Sequence, residues 1–203
     1  MYDHQEFAET NDFDFGRNLL IKWLRMLFVA QIVSLGLSVL GVLQILNGLH
    51  KVLTYAVGLS HVMIFFKLSA VSERYRKTFL AIAVQWAATI ASLFITNGAL
   101  SLVTAISSTI ALYQQYHAHS EVIAAEDEKL AGKWTSFFYW ELAVGLISAG
   151  ISVAVVMIAV TVGASSDAIT QIAVYLVGAV SLALEVIYLR YLRKTLVLLE
   201  KTE

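Results

Sequence analysis

The stretch that decides the fold is Leu27–Leu49, LFVAQIVSLGLSVLGVLQILNGL, which runs its whole length without a charged residue. A helix needs about 20 mostly apolar residues to cross a bilayer, so this segment alone is long enough for one span. Val52–Val71 follows, interrupted only by His61 and Lys67. Thr78–Tyr116 is again uncharged and is too long for a single crossing. Asn97-Gly98, a strong turn signal, divides it into Thr78–Thr96 and Ala99–Tyr116. Trp134–Gly163 and Ala168–Leu189 complete the set. The expected fold is all-α: a polytopic membrane bundle of six transmembrane helices, spanning 27–49, 52–71, 78–96, 99–116, 134–163 and 168–189.

Composition agrees. The chain is 59% hydrophobic and 14% charged, has no proline or cysteine, and has a mean hydropathy of +0.73. Soluble domains are about 45–50% apolar and about 25% charged. With 14 basic against 15 acidic residues there is no basic excess to neutralise phosphates, which argues against a nucleic-acid partner. The lack of cysteine removes disulfides, thiolate zinc sites and thiol catalysis. The lack of proline argues for straight helices, in contrast to transporters whose broken helices expose backbone groups to substrate.

Basic residues set the expected orientation. With the N-terminus inside, every Lys and Arg except Lys51 falls on the cytoplasmic side, a strong bias by the positive-inside rule. Both termini are therefore expected in the cytoplasm. The outer turns, at Asn47-Gly48, Asn97-Gly98 and Gly163–Asp167, are short, so the spans read as three helical hairpins. Ile45-Leu-Asn47-Gly48 and Ile95-Thr-Asn97-Gly98 echo each other and hint at a repeated unit. Residues 1–17, with Asp3, Glu6, Glu9, Asp12 and Asp14, read as an acidic, solvated tail and not as a signal peptide. Residues 190–203 read as an amphipathic cytoplasmic helix that extends the last span or lies on the headgroups. Trp23, Tyr75, Trp134, Phe137, Phe138, Tyr139, Trp140, Tyr188 and Tyr191 read as an aromatic belt at the inner interface.

Ionisable groups inside a bilayer cost at least ~2.5–3.5 kcal/mol at its centre and mark candidate sites. Lys67 and Glu185 each lie roughly 6 Å inside the inner ends of their spans, Glu141 lies roughly 10 Å inside, and His61 falls near the midplane, at 1.5 Å per residue. Glu141 shares a helical stripe with Gly145, Ser148 and Ser152. Glu185 shares one with Ser181 and Gly178. Lys67, Glu141, Glu185 and His61 are thus expected to line a cytoplasm-facing polar vestibule for a ligand or ion, with Lys67 paired to one glutamate. The plainer alternative has Lys67 reaching for headgroups, the glutamates bonding neighbouring helices, and His61 hydrogen-bonded in the core.

A second cluster, His117, His119 and Glu121, follows span 4. His117 and Glu121 are four residues apart, the spacing that lets two side chains share a metal. No catalytic constellation and no cofactor motif occurs. Ser60 and His61 are adjacent and point about 100° apart on a helix, so they cannot form a nucleophile–base pair. The expected function is that of an integral membrane protein that binds or transports a small solute or ion. The alternative is a non-catalytic accessory or assembly subunit of a membrane complex. The lipid bilayer is the expected partner in both cases, with a homo-oligomer or a membrane partner protein beside it.

Overall fold

A computed structural model of the chain describes residues 3–42, 47–95, 97–162 and 167–201. They form α1 (Asp3–Val42), α2 (Asn47–Leu68), α3 (Glu73–Ser92), α4 (Gly98–Ile123), α5 (Glu128–Val162) and α6 (Asp167–Lys201). The starts of three helices are set by side chains that satisfy otherwise unbonded N–H groups. The Ser72 hydroxyl accepts from Tyr75 N–H at 3.3 Å to begin α3, and the Asn97 side chain accepts from Ala99 N–H at 2.9 Å to begin α4. Asp127 Oδ1 accepts from Leu130 N–H at 2.8 Å as α5 starts. Asn97-Gly98 is therefore the break anticipated in the long apolar run, and Asn47 opens α2. The expected turn at 163–167 lies, apart from Asp167, outside the described residues.

Four helices are long and apolar enough to cross a membrane, through Gly16–Gly41, Leu49–Leu68, Glu128–Val155 and Tyr175–Lys201. The other two carry polar residues at one end. Helix α3 opens with Glu73, Arg74, Arg76 and Lys77, and α4 closes with Gln114, Gln115, His117 and His119. Each helix packs against its sequence neighbours, α6 returns to α1, and α4 touches α6 across the interior. The six helices thus close a ring.

Burial is concentrated at one end of that ring, where α1 starts, α2 meets α3, α4 meets α5, and α6 finishes. Leu24, Leu27, Phe65, Leu68, Tyr75, Ile123, Trp134 and Leu192 are all fully buried there. Many of these residues lie beyond the expected spans, on helix extensions. Helix α1 takes in residues 3–17 as continuous helix, where the sequence suggests a tail. Helix α6 continues unbroken to Lys201, with Leu192, Leu196 and Leu199 buried. The two extensions are tied by Arg25 Nε to Glu200 at 2.8 Å and by Arg17 to the Leu199 carbonyl at 2.6 Å.

The expected aromatic belt is corrected by this packing. Trp23, Tyr75, Trp134, Phe137, Phe138 and Tyr188 are buried between helices, while Tyr139 and Trp140 are exposed. Where six helices converge, large rings fill the space between them, and Tyr139 and Trp140 of α5 face outward.

Candidate functional site

The packed end forms a floor. His119, wholly buried, receives Tyr75 Oη at 2.9 Å on Nδ1 and Tyr188 Oη at 3.2 Å on Nε2. A neutral imidazole has one N–H and one lone pair, and a tyrosine hydroxyl can serve either. Burial pushes the His119 pKa down to about 3 and the Tyr75 phenol well above its usual range, so both are neutral at physiological pH. Gln115 Nε2 donates to Tyr188 Oη at 2.6 Å, and Trp134 Nε1 donates to Thr195 Oγ1 at 3.0 Å. The Trp134 ring lies 4.7 Å from His119 and 5.3 Å from Tyr188. This layer joins α3, α4, α5 and α6.

Beyond the floor the ring is hollow. A cavity of about 350 Å³ rests on Tyr116, Tyr188 and Gln115 and is lined by Glu141 and Glu185. A larger one of about 910 Å³ shares Gln31, Leu112, Gln115 and Val177 with it and continues to the level of Gly41 and His50. Neither is lined by a lysine or an arginine. Small residues make the room, among them Ser34, Ser38, Gly58, Ser108 and Gly178. Two glycines also let rings lie against helix backbone. A Cβ at Gly58 would fall 2.0 Å from the Trp86 ring, and one at Gly41 would fall 2.8 Å from His50 Nε2. His50 is held there by a 3.0 Å contact from Nε2 to the Leu37 carbonyl.

Two residues on the walls of this space carry an acceptor without a protein partner among the described residues. His61 Nδ1 lies 2.9 Å from the Val57 carbonyl, which can only accept, so Nδ1 carries the proton and Nε2 presents a bare lone pair. Nε2 is buried and unbonded. Glu185 Oε1 accepts from Ser38 Oγ at 2.8 Å, while its Oε2 is buried and unbonded. Glu141 is engaged by the Tyr116 hydroxyl, which donates to it.

Of the residues singled out in the sequence, Glu141 and Glu185 line the smaller cavity and His61 the larger. Lys67 stands apart. It is exposed, its Nζ is 5.6 Å from the Phe66 ring, and no ion pair joins it to either glutamate among the described residues. Ile64, Phe65 and Leu68 of the same turn face the core, which leaves Lys67 on the outer side of α2. The aromatic floor lies at the end of the bundle that carries most of the basic residues, and the cavities lie on the other side of it.

His117, His119 and Glu121 are not brought together. His117 Nδ1 bonds the Tyr113 carbonyl at 2.8 Å, His119 is enclosed by tyrosines, and Glu121 pairs with Arg74. No group of three potential ligands is close enough to hold a metal among the described residues. Ser60 bonds the Ala56 carbonyl and faces outward from the bundle, away from any pairing with His61.

The residues that the sequence reading passed over are the uncharged polar ones on the cavity wall, Gln31, Gln85, Gln115, Thr89 and Ser108, while Tyr75 and Tyr188, read as belt residues, bond within the floor. A glutamine within an uncharged span is itself a signal, since its amide needs partners in lipid just as an ionised group does. Comparison with family models, curated proteins and solved structures finds no match to this chain.

Proposed function

We propose that this chain crosses the bilayer six times as three hairpins, with both termini cytoplasmic, and binds or transports a small cation through its central cavity. The observation that carries the reading is the pair of buried acceptors without a partner among the described residues, His61 Nε2 and Glu185 Oε2, on the walls of a hollow lined by two carboxylates and, among the described residues, by no lysine or arginine. Such a wall calls for a ligand that brings positive charge or hydrogen-bond donors. Tyr55 and Trp86, whose rings meet edge to face at 5.9 Å, add aromatic surface suited to an organic cation.

The six-span count is supported by the outer faces of α3 and α4, where Leu80, Val84, Ile90, Leu102, Val103, Ile106 and Ile110 are exposed. An apolar exterior of this extent suits lipid. With the basic end inside, the floor closes the cavity from the cytoplasm, and the hollow belongs to the outer half of the bundle. Topology is tested by single cysteines in a chain that has none of its own. Gly98→Cys should react with an impermeant reagent added outside, and Glu126→Cys should not.

The cation reading is tested by thermal unfolding of the chain in neutral-lipid nanodiscs, in sodium, potassium, methylammonium and choline chlorides at one ionic strength. One cation should raise the midpoint in the wild type and lose that effect in Glu141→Gln and Glu185→Gln. Equal midpoints across the series would sink the idea. A second reading, an accessory subunit or homo-oligomer, draws support from α5, where Ala149 and Gly150 are exposed and Gly150 has open space beside it. Small residues let another membrane helix approach closely.

A further inference from the structure

Two groups stand out among the basic residues of the packed end. Arg25, Arg74, Arg76 and Lys77 are matched to Glu200, Glu121 and Glu73. Lys129, Lys133, Arg190, Arg193, Lys194 and Lys201 make no ion pair among the described residues, and these six share one groove of about 490 Å³ between α5 and α6. Their spacing explains the convergence. Arg190, Arg193, Lys194 and Lys201 follow the three- and four-residue steps of one face of α6, and Lys129 and Lys133 are one turn apart on α5. Among the described residues the only acid on the wall is Asp127, and its Oδ1 already accepts the Leu130 N–H. The apolar part of the wall is Leu130, Val197 and Leu198.

Like charges so arranged repel one another, and a helix pair gains nothing from holding them together without a counter-ion. An apolar wall beside them lowers the local dielectric and strengthens their joint field. Arginine, with its planar fork of donors, is matched to tetrahedral oxyanions, and lysine adds point charge. The volume lies in the range of pockets that hold small ligands.

We propose that the α5–α6 groove is a binding site for a phosphate-bearing anion, with phospholipid headgroups as its natural source. The source follows from the six-span reading above, on which this part of the inference rests. Lys133 and Arg190 fall immediately outside their spans, at headgroup level, while Lys194 and Lys201 continue the groove into the water. A phosphomonoester headgroup can enter at the bilayer edge while its acyl chains stay in lipid. The site is separated from the central cavity by the aromatic floor, so occupation of one does not require the other.

The test uses the full chain in phosphatidylcholine nanodiscs doped with phosphatidic acid, with retained lipid counted by native mass spectrometry. Two variants remove one wall each, Lys129→Gln/Lys133→Gln and Arg193→Gln/Lys194→Gln, and Arg76→Gln/Lys77→Gln removes equal charge elsewhere at the same end. All six positions are solvent-accessible, and glutamine preserves helix, so folding is retained. The expected result is at least a tenfold loss of bound phosphatidic acid in both groove variants, with the control unchanged. A parallel arm titrates inorganic pyrophosphate into undoped nanodiscs. Groove-dependent binding of pyrophosphate without retention of phosphatidic acid would support the phosphate site and reassign its source to a soluble anion. Equal losses in groove and control variants, or binding of neither probe, would overturn the site. Cysteine labelling at Gly98 and Glu126 separates a failure of the topology from a failure of the groove.

Discussion

The two halves of the helical ring are built from the same six helices and pack differently. At the basic end, Leu24, Leu27, Trp134, Ile123 and Leu192 are sealed from solvent. In the other half, serines, glycines and glutamines face a cavity of about 910 Å³ while Leu102, Ile106, Leu146 and Val153 point outward. The contrast follows from where water is. On the six-span reading part of the sealed end, with Leu24, Ile123 and Leu192, projects from the bilayer, and apolar side chains there are driven together as in a soluble protein. Inside lipid that drive vanishes, because acyl chains solvate leucine as well as another helix does. Contact then depends on close approach, and inward-facing small polar residues can leave space.

The comparison is broken most severely by Trp134→Ala. It removes the central ring of the floor and leaves Thr195 without its donor, and a loss of about 3–5 kcal/mol is expected from the cavity left behind. Unfolding of the purified chain, followed by size-exclusion and thermal midpoint, reads it. Trp140→Ala, on the exposed face of α5, is the matched control and should fall within about 0.5 kcal/mol of wild type. Similar losses in the two would mean that the floor is no tighter than the rest.

Acid should loosen the same end next. The folded chain holds His119 neutral down to about pH 3, whereas the unfolded chain protonates near pH 6.5. Between those values the unfolded state binds more protons, so this contribution is whole above about pH 6.5 and declines as the pH falls toward 3. The slope is up to about 1.4 kcal/mol per pH unit. His119→Gln should flatten that part of the stability profile, and an unchanged slope in the variant would place the titration elsewhere.

In the hollow half, Gly58→Ala should cost about 1–3 kcal/mol, because the new methyl group collides with Trp86 and forces the ring aside. Gly36→Ala, with open space around it, should be neutral or gain up to about 1 kcal/mol. Thermal midpoints of the pair decide whether the cavity wall has a defined shape. Ser38→Ala, the mildest change, removes the one bond to Glu185 Oε1 and should cost about 1 kcal/mol.

Helix positions were largely legible in the sequence because charge and turn chemistry mark them. Arg74 to Thr78 opens α3, Asn97-Gly98 opens α4, and the glutamates of two spans do face the interior. The cavity floor was not legible. Tyr75, His119 and Tyr188 lie far apart in the chain, and aromatic residues at an interface look the same in sequence whether they face lipid or one another. Lys67 shows the converse limit. Depth along a helix can be read from residue counts, whereas the azimuth that turned Lys67 outward is set by how α2 packs on α1 and α3.

One dimension of α3 carries a further consequence. Its charged first turn leaves Thr78–Ser92 for the apolar interior, about 22 Å of helix at 1.5 Å per residue. A typical hydrocarbon core is about 30 Å thick. The exposed side chains of Leu93, Phe94 and Ile95, in the turn that follows, extend the apolar surface only a little. On the six-span reading, lipids beside α3 must shorten to meet it, and each ångström of mismatch costs a fraction of a kcal/mol. The chain would therefore sit with least strain in thin bilayers, and membrane thickness becomes a mechanical load applied to one wall of the cavity.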